Sequence, residues 1–184
     1  MNVPVLAVRR RREQQEAACA RGGAGRRGAV LVFLPGLLEI REFANLVEKS
    51  PEGMQQKLRA LPLHSSVTLE EQRRVFMPVE QGSRKVILAT NIAESSITVP
   101  DIKYVFDFGL VKQLTADSST GFESLRLSWI SHAAMLQRKG RAGRVSAGHY
   151  FCFLPRSLTD ILPAFPDPEM IVCLPRCCTF VFSY

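Results

Sequence analysis

The sequence predicts an α/β fold built on a parallel sheet, and three observations point to it. Short continuous apolar runs recur along the chain, stretches with helical amphipathic spacing separate them, and 184 residues with 46% hydrophobic and 22% charged composition suffice for one buried core. Residues 29–34 (AVLVFL) form the first run, ended by Pro35-Gly36, the pattern of a strand buried on both faces. Leu37, Leu38, Ile40, Phe43, Ala44 and Val47 then recur at helical spacing among Glu39, Arg41, Glu42 and Glu48. Residues 57–63 read as a second strand. Thr68-Leu69-Glu70-Glu71 is a capping box, which predicts a helix running through Arg73, Arg74 and Phe76. Residues 86–89 and 104–108 are further strands, 131–139 a helix with Ser131 as N-cap, and 149–154 (HYFCFL) the last strand.

One segment breaks this alternation. Residues 110–130 lack helical period and place a polar, glycine-containing centre at 117–121 between the arms 111–115 and 122–129. That is the chemistry of a β-hairpin inserted between a strand and the next helix. Its Trp129 is expected to pack against the sheet.

Composition excludes several classes. No apolar run approaches the ~20 residues of a membrane-spanning helix. The five cysteines contain no C-x-x-C pair, and His64, His132 and His149 are scattered, so neither a zinc ribbon nor a metal set is expected. The net charge of +7 is uneven: residues 1–27 hold seven arginines against Glu13 and Glu16, and the rest carries only +2. Residues 1–27 are therefore expected to be a basic disordered tail. Their apolar run, 3–8, precedes the arginines, the wrong order for a secretory signal.

Two constellations carry chemistry. Residues 137–144 (QRKGRAGR) put four cations within seven residues, with no acid and with two glycines that let the backbone turn. Guanidiniums suit a polyphosphate through bidentate, charge-assisted bonds, and Arg141 and Arg144 would share a face if the helix continued. Residues 89–100 (ATNIAESSITVP) follow a buried strand, at the edge where open α/β sheets bind ligands, and concentrate small hydroxyls and amides.

Leu34-Pro35-Gly36 after a strand, Leu63-His64-Ser65-Ser66 before a capped helix, Thr90-Asn91-Ile92-Ala93-Glu94-Ser95-Ser96 and residues 137–144 together resemble the successive motifs of the second RecA-like domain of DEAH/RHA-type helicases. The resemblance covers about residues 29–158, and the hairpin falls where that family carries one. Residues 62–72 (PLHSSVTLEEQ) and 124–129 (SLRLSW) look most like the Tudor-domain-containing germline helicases of the piRNA pathway, including the spindle-E type.

The resemblance implies a RecA-like parallel sheet flanked by helices and the following roles. Arg141 and Arg144 match the arginine fingers that reach ATP phosphates across an interdomain cleft, and Gln137 matches the glutamine that helps place the attacking water. Ser96, Thr98 and Gly140 match positions near the nucleotide. The family's ribose-contacting acid falls where this chain has Pro100, with Asp101 beside it. Thr90, Asn91, Pro35 and Gly36 match contacts to the RNA backbone. The implied cofactors are ATP with Mg2+. The implied partners are RNA, a first RecA-like domain and piRNA-pathway proteins, in the cytoplasm or in perinuclear germ granules, with no membrane role. The hairpin is expected to act as a steric wedge that parts a duplex.

Departures from the family bound the reading. The chain holds neither G-x-x-x-x-G-K-[ST] nor D-E-x-H, so the phosphate-cradling loop, the magnesium ligands and the catalytic glutamate are expected in a first domain outside it. The expected division is a basic tail at 1–27, a helicase C-terminal RecA-like domain at 28–158 and a truncated or atypical segment at 159–184, both ends resembling the edges of an incomplete gene product. Two functions stand side by side: half of an ATP-dependent RNA helicase, or a hydrolysis-incompetent module that binds RNA or a partner.

Overall fold

The computed structural model describes residues 28–95, 99, 101–116, 123–144 and 147–166. The predicted tail at 1–27, the hairpin tip at 117–121 and the segment from 167 onward lie outside them.

Five strands, β1 (Ala29–Phe33), β2 (Leu58–Leu63), β3 (Arg84–Ala89), β4 (Ile102–Asp107) and β7 (His149–Cys152), form one parallel sheet in the order β2-β3-β1-β4-β7. The central strand is fully buried, and its alternate residues feed two separate cores. Ala29, Leu31 and Phe33 join Leu63, Val75, Ile87 and Val105 on one face, while Val30, Val32 and Leu34 join Ile40, Val86, Leu88 and Tyr104 on the other. A strand with both faces covered must be apolar at every position, which is why 29–34 shows no alternation.

Helix α1 (Leu37–Lys49) covers the second face through Ile40, Phe43, Ala44 and Val47. A short helix that the sequence reading missed, α2 (Pro51–Gln55), follows it, capped by the Ser50 hydroxyl, which accepts from the Gly53 amide at 3.0 Å. Helix α3 (Leu69–Arg74) opens on the predicted capping box, with Thr68 and Glu71 each receiving the other's backbone N–H. It stops two residues earlier than expected. Phe76 and Met77 donate to carbonyls three residues back instead of four, because Pro78 disfavours α geometry just before it. The one-turn helix α4 (Ile92–Ser95) follows β3, and α5 (His132–Lys139) starts at Ser131, whose hydroxyl accepts from the Ala134 amide at 3.2 Å. Helix α6 (Arg156–Thr159) follows β7, and the carbonyls of Pro163 and Ala164 accept from the first two amides of α5.

The inserted hairpin is present. Strands β5 (Leu110–Ala116) and β6 (Glu123–Trp129) pair antiparallel from Leu110↔Trp129 to Ala116↔Glu123 and, among the described residues, with no other strand. Register places Leu114, Leu125, Leu127 and Trp129 on one face, all substantially exposed. Trp129 thus corrects the expectation: it stands 47% exposed at the hairpin root instead of packing against the sheet. The root turns on Gly109, at φ +71°, where a Cβ would run into the Leu154 side chain.

Candidate functional site

In a parallel sheet all carboxyl ends lie along one edge. Leu34, after β1, donates its amide to the Ala89 carbonyl of β3 at 2.8 Å, so Pro35 and Gly36 stand beside Thr90 and Asn91 at that edge. Gly36 and Thr90 are buried, Pro35 is half-buried and Asn91 is exposed. Above Gly36 lies an ion pair, Lys112 of the hairpin with both carboxylate oxygens of Glu39, at 2.8 and 3.0 Å. The Lys112 hydrogen bond is the main force holding the Glu39 carboxyl below its usual range.

Asp101 sits at the opposite edge, about 20 Å away by the rise of β4. Its carbonyl accepts from the Ala29 amide at 2.9 Å, and its carboxylate lies 3.3 Å from the ammonium of buried Lys85. The run 137–144 ends near it. Helix α5 descends antiparallel to β4, and the Gly143 amide reaches the Ile102 carbonyl at 3.3 Å. The structure therefore brings Gly143 to the amino end of the sheet beside Asp101, while Arg141 leans on Glu94 in the turn that continues from Thr90 and Asn91 at the carboxyl end, where Pro35 and Gly36 also stand. Gln137 is exposed on α5; Ser96 and Thr98 lie outside the described residues.

The helix does not continue to carry Arg141 and Arg144 on one face. It ends at Lys139 with Gly140 as C-cap; Arg141 and Ala142 make tighter bonds three residues back, and Gly143 takes φ +77°. Glycine tolerates that left-handed backbone, so the chain turns away there. Arg141 is half-buried and its guanidinium donates to the Glu94 carbonyl of α4; Arg144 is exposed. Burial, then the charge of Arg144, pulls the Arg141 guanidinium below its ordinary value.

Arg138, one of the four cations of the run and given no site role by the sequence, behaves unlike its neighbours. It is 1% exposed, its Nε donating to Glu94 at 2.7 Å and its Nη1 to Asp107 at 2.8 Å, with the guanidinium 4.7 Å above the Phe33 ring. Asp107 is wholly buried and fully used: the Gly109 amide donates to one oxygen at 2.8 Å, beside Arg138, and the Tyr150 hydroxyl to the other at 2.7 Å. Burial and this carboxylate's charge push the Tyr150 phenol far above its ordinary value. A buried charge needs such partners, since removing one strands the other in low dielectric. Glu94, Asp107 and Tyr150 were missed as site-building residues. Asp107 ends β4, Glu94 lies in the turn after β3 and Tyr150 lies within β7, and no local pattern links the three.

No group of three or more His, Cys, Asp or Glu is placed to hold a metal among the described residues, and no described helix is long and apolar enough to cross a membrane.

A parallel five-stranded sheet with helices on both faces, a hairpin before the last helix of the core and an arginine-glycine loop after it defines a RecA-like helicase domain. The chain belongs to the helicase conserved C-terminal domain family, which matches residues 15–146. It is 53% identical over 150 residues to the ATP-dependent RNA helicase TDRD9 of Mus musculus, covering 80% of this chain and 10% of that protein. It is 46% identical over 154 residues to the probable ATP-dependent RNA helicase spindle-E of Drosophila ananassae, with the same coverage. The crystal structure of the E. coli DExH-box NTPase HrpB superposes with a TM-score of 0.69 at 32% identity, over 85% of this chain and 19% of that one. The chain thus spans about a tenth of the length of the relatives it matches.

Proposed function

We propose that this chain is the second RecA-like half of an ATP-dependent RNA helicase, meeting ATP phosphates with the loop at 141–144 and the RNA backbone with its carboxyl edge. One observation carries the reading: the cationic loop after α5 rests through Arg141 on Glu94, in the turn that continues from Thr90 and Asn91, so phosphate-seeking and strand-seeking groups adjoin on one segment. The donors suit a polyphosphate. Arg141, half-buried and repelled by Arg144, is an electrostatic crowd that an anion relieves.

Arg141 and Arg144 stabilise charge on the transferring phosphoryl group, and Gln137 orients water. Ser96, Thr98, Asp101 and Gly140 line the nucleotide. Pro35, Gly36, Thr90 and Asn91 hold the RNA strand. ATP supplies the phosphoryl group and Mg2+ shields its charge, with magnesium ligands from a first domain. The hairpin, with its apolar face, is the stiff arm past which a duplex is parted. Without a phosphate-cradling loop, the chain by itself binds without turnover. At the finer level we assign it to germline piRNA silencing, with piRNA-pathway proteins as partners in the cytoplasm or in perinuclear germ granules. The likeness to TDRD9 and spindle-E supports this.

The test uses the full-length protein. Arg141→Ala or Arg144→Ala should cut RNA-stimulated ATP turnover by roughly 10³-fold, the scale of a lost arginine finger, and leave RNA affinity without nucleotide nearly unchanged. The isolated chain should show no turnover. Equal losses in both assays would mean that the arginines bind RNA. For the germline assignment, crosslinking in germ cells should recover piRNA-pathway proteins; association only with bulk messenger RNA counts against it.

A further inference from the structure

We infer that Arg138 is a positioning residue whose bridge from Asp107 to Glu94 sets where Arg141 stands. The inference rests on the nucleotide-facing role proposed for Arg141. Glu94 holds both arginines at once, Arg138 through its carboxylate at 2.7 Å and Arg141 through its backbone carbonyl. Glu94 lies on a single helical turn, too short to hold its own orientation, so its placement comes from what it binds. Arg138 supplies that binding and is itself buried and held from several sides. Its guanidinium is pinned by Asp107, stacked on Phe33 and 3.4 Å from the Leu110 carbonyl at the hairpin root. Asp107 is fixed in turn by Gly109 and Tyr150. The rigid end of β4 is thereby connected through Arg138 and Glu94 to a guanidinium on a turn that has left its helix.

Arginine is the side chain this bridge requires. Its planar fork presents Nε to one carboxylate and Nη1 to another, whereas a lysine ammonium is a single point that satisfies Asp107 and releases Glu94. Arg138→Lys therefore removes the bridge while keeping a cation beside Asp107. Glu94→Gln weakens the same bridge from its other end without touching the carbonyl that Arg141 uses.

The test compares Arg138→Lys, Glu94→Gln, Arg141→Ala and the two doubles with Arg141→Ala in the full-length protein, reading kcat and KM for ATP, RNA affinity and Tm. Each bridge variant should lower kcat about 10- to 100-fold, the cost of misplacing a reacting group by about an ångström, with KM and RNA affinity within about twofold. In the Arg141→Ala background neither should lower kcat further, because the residue through which the bridge acts is gone. A merely structural role predicts equal factors in both backgrounds, and that result overturns the inference, as does an unchanged kcat in both bridge variants. If either variant fails to fold, the other reports on the same bridge from the opposite end. Normal turnover in Arg141→Ala alone fails the underlying site reading, and this is visible without any bridge variant.

Discussion

Glu39 and Lys112 meet across seventy-three positions of sequence, and their pair ties the hairpin to α1 directly above Gly36. Folding lowers the Glu39 pKa from 4.5, so the charged carboxylate is favoured in the folded state. The sign follows from linkage: the contribution is present at neutral pH and fades as the pH falls below 4.5 through the folded value. Glu39→Gln should therefore lower the urea midpoint of the chain at pH 7 but not well below pH 4. A constant difference across that range would separate the effect from the carboxylate's charge. At this scale the sequence was least legible. Residues 137–144 put four cations within seven residues, yet Arg138 is buried and committed to acids 44 and 31 positions away. Nothing local distinguishes a paired arginine from a free one. Glu94 stands within the run 89–100, but only the fold shows it holding two arginines.

Element boundaries were legible where the signal is local. The capping box at Thr68, the serine cap at Ser131 and the apolar runs at Ala29 and His149 mark starts that the structure keeps, whereas β3 and β4 each begin two residues before their apolar runs, at Arg84 and Ile102. Helix ends were less legible, because they depend on what happens next: Pro78 shortens α3, and Gly143 turns the chain after α5. The hairpin was readable from its polar centre, but the packing of Trp129 was not, since a tryptophan at a strand end carries no mark of which side has a neighbour. Its root suggests a direct test. Gly109 combines a left-handed backbone with contact against Leu154, and its amide feeds Asp107. Gly109→Ala should destabilise the chain by about 2 kcal/mol or more, measured by urea unfolding, from backbone strain and the displaced leucine. A Tm and urea midpoint equal to the parent's would mean that the root has room to relax.

Across the whole molecule, the class of fold was readable because a sheet buried on both faces leaves uninterrupted apolar runs, and helices on both faces leave amphipathic ones. Strand order was not, since each strand's apolar run fits any neighbour equally well. That order has a consequence for synthesis. The first described strand of the domain, β1, occupies the centre, and its partners arrive much later: Val30 pairs with Val86 on one side and Tyr104 on the other. A chain leaving the ribosome therefore carries its most apolar strand with both edges bare until β3 emerges, and with one bare until Asp107 is made. Those edges are the template on which another nascent chain can pair. The domain's folding is thus set by its last core strands, and its early residues travel farthest before they are enclosed.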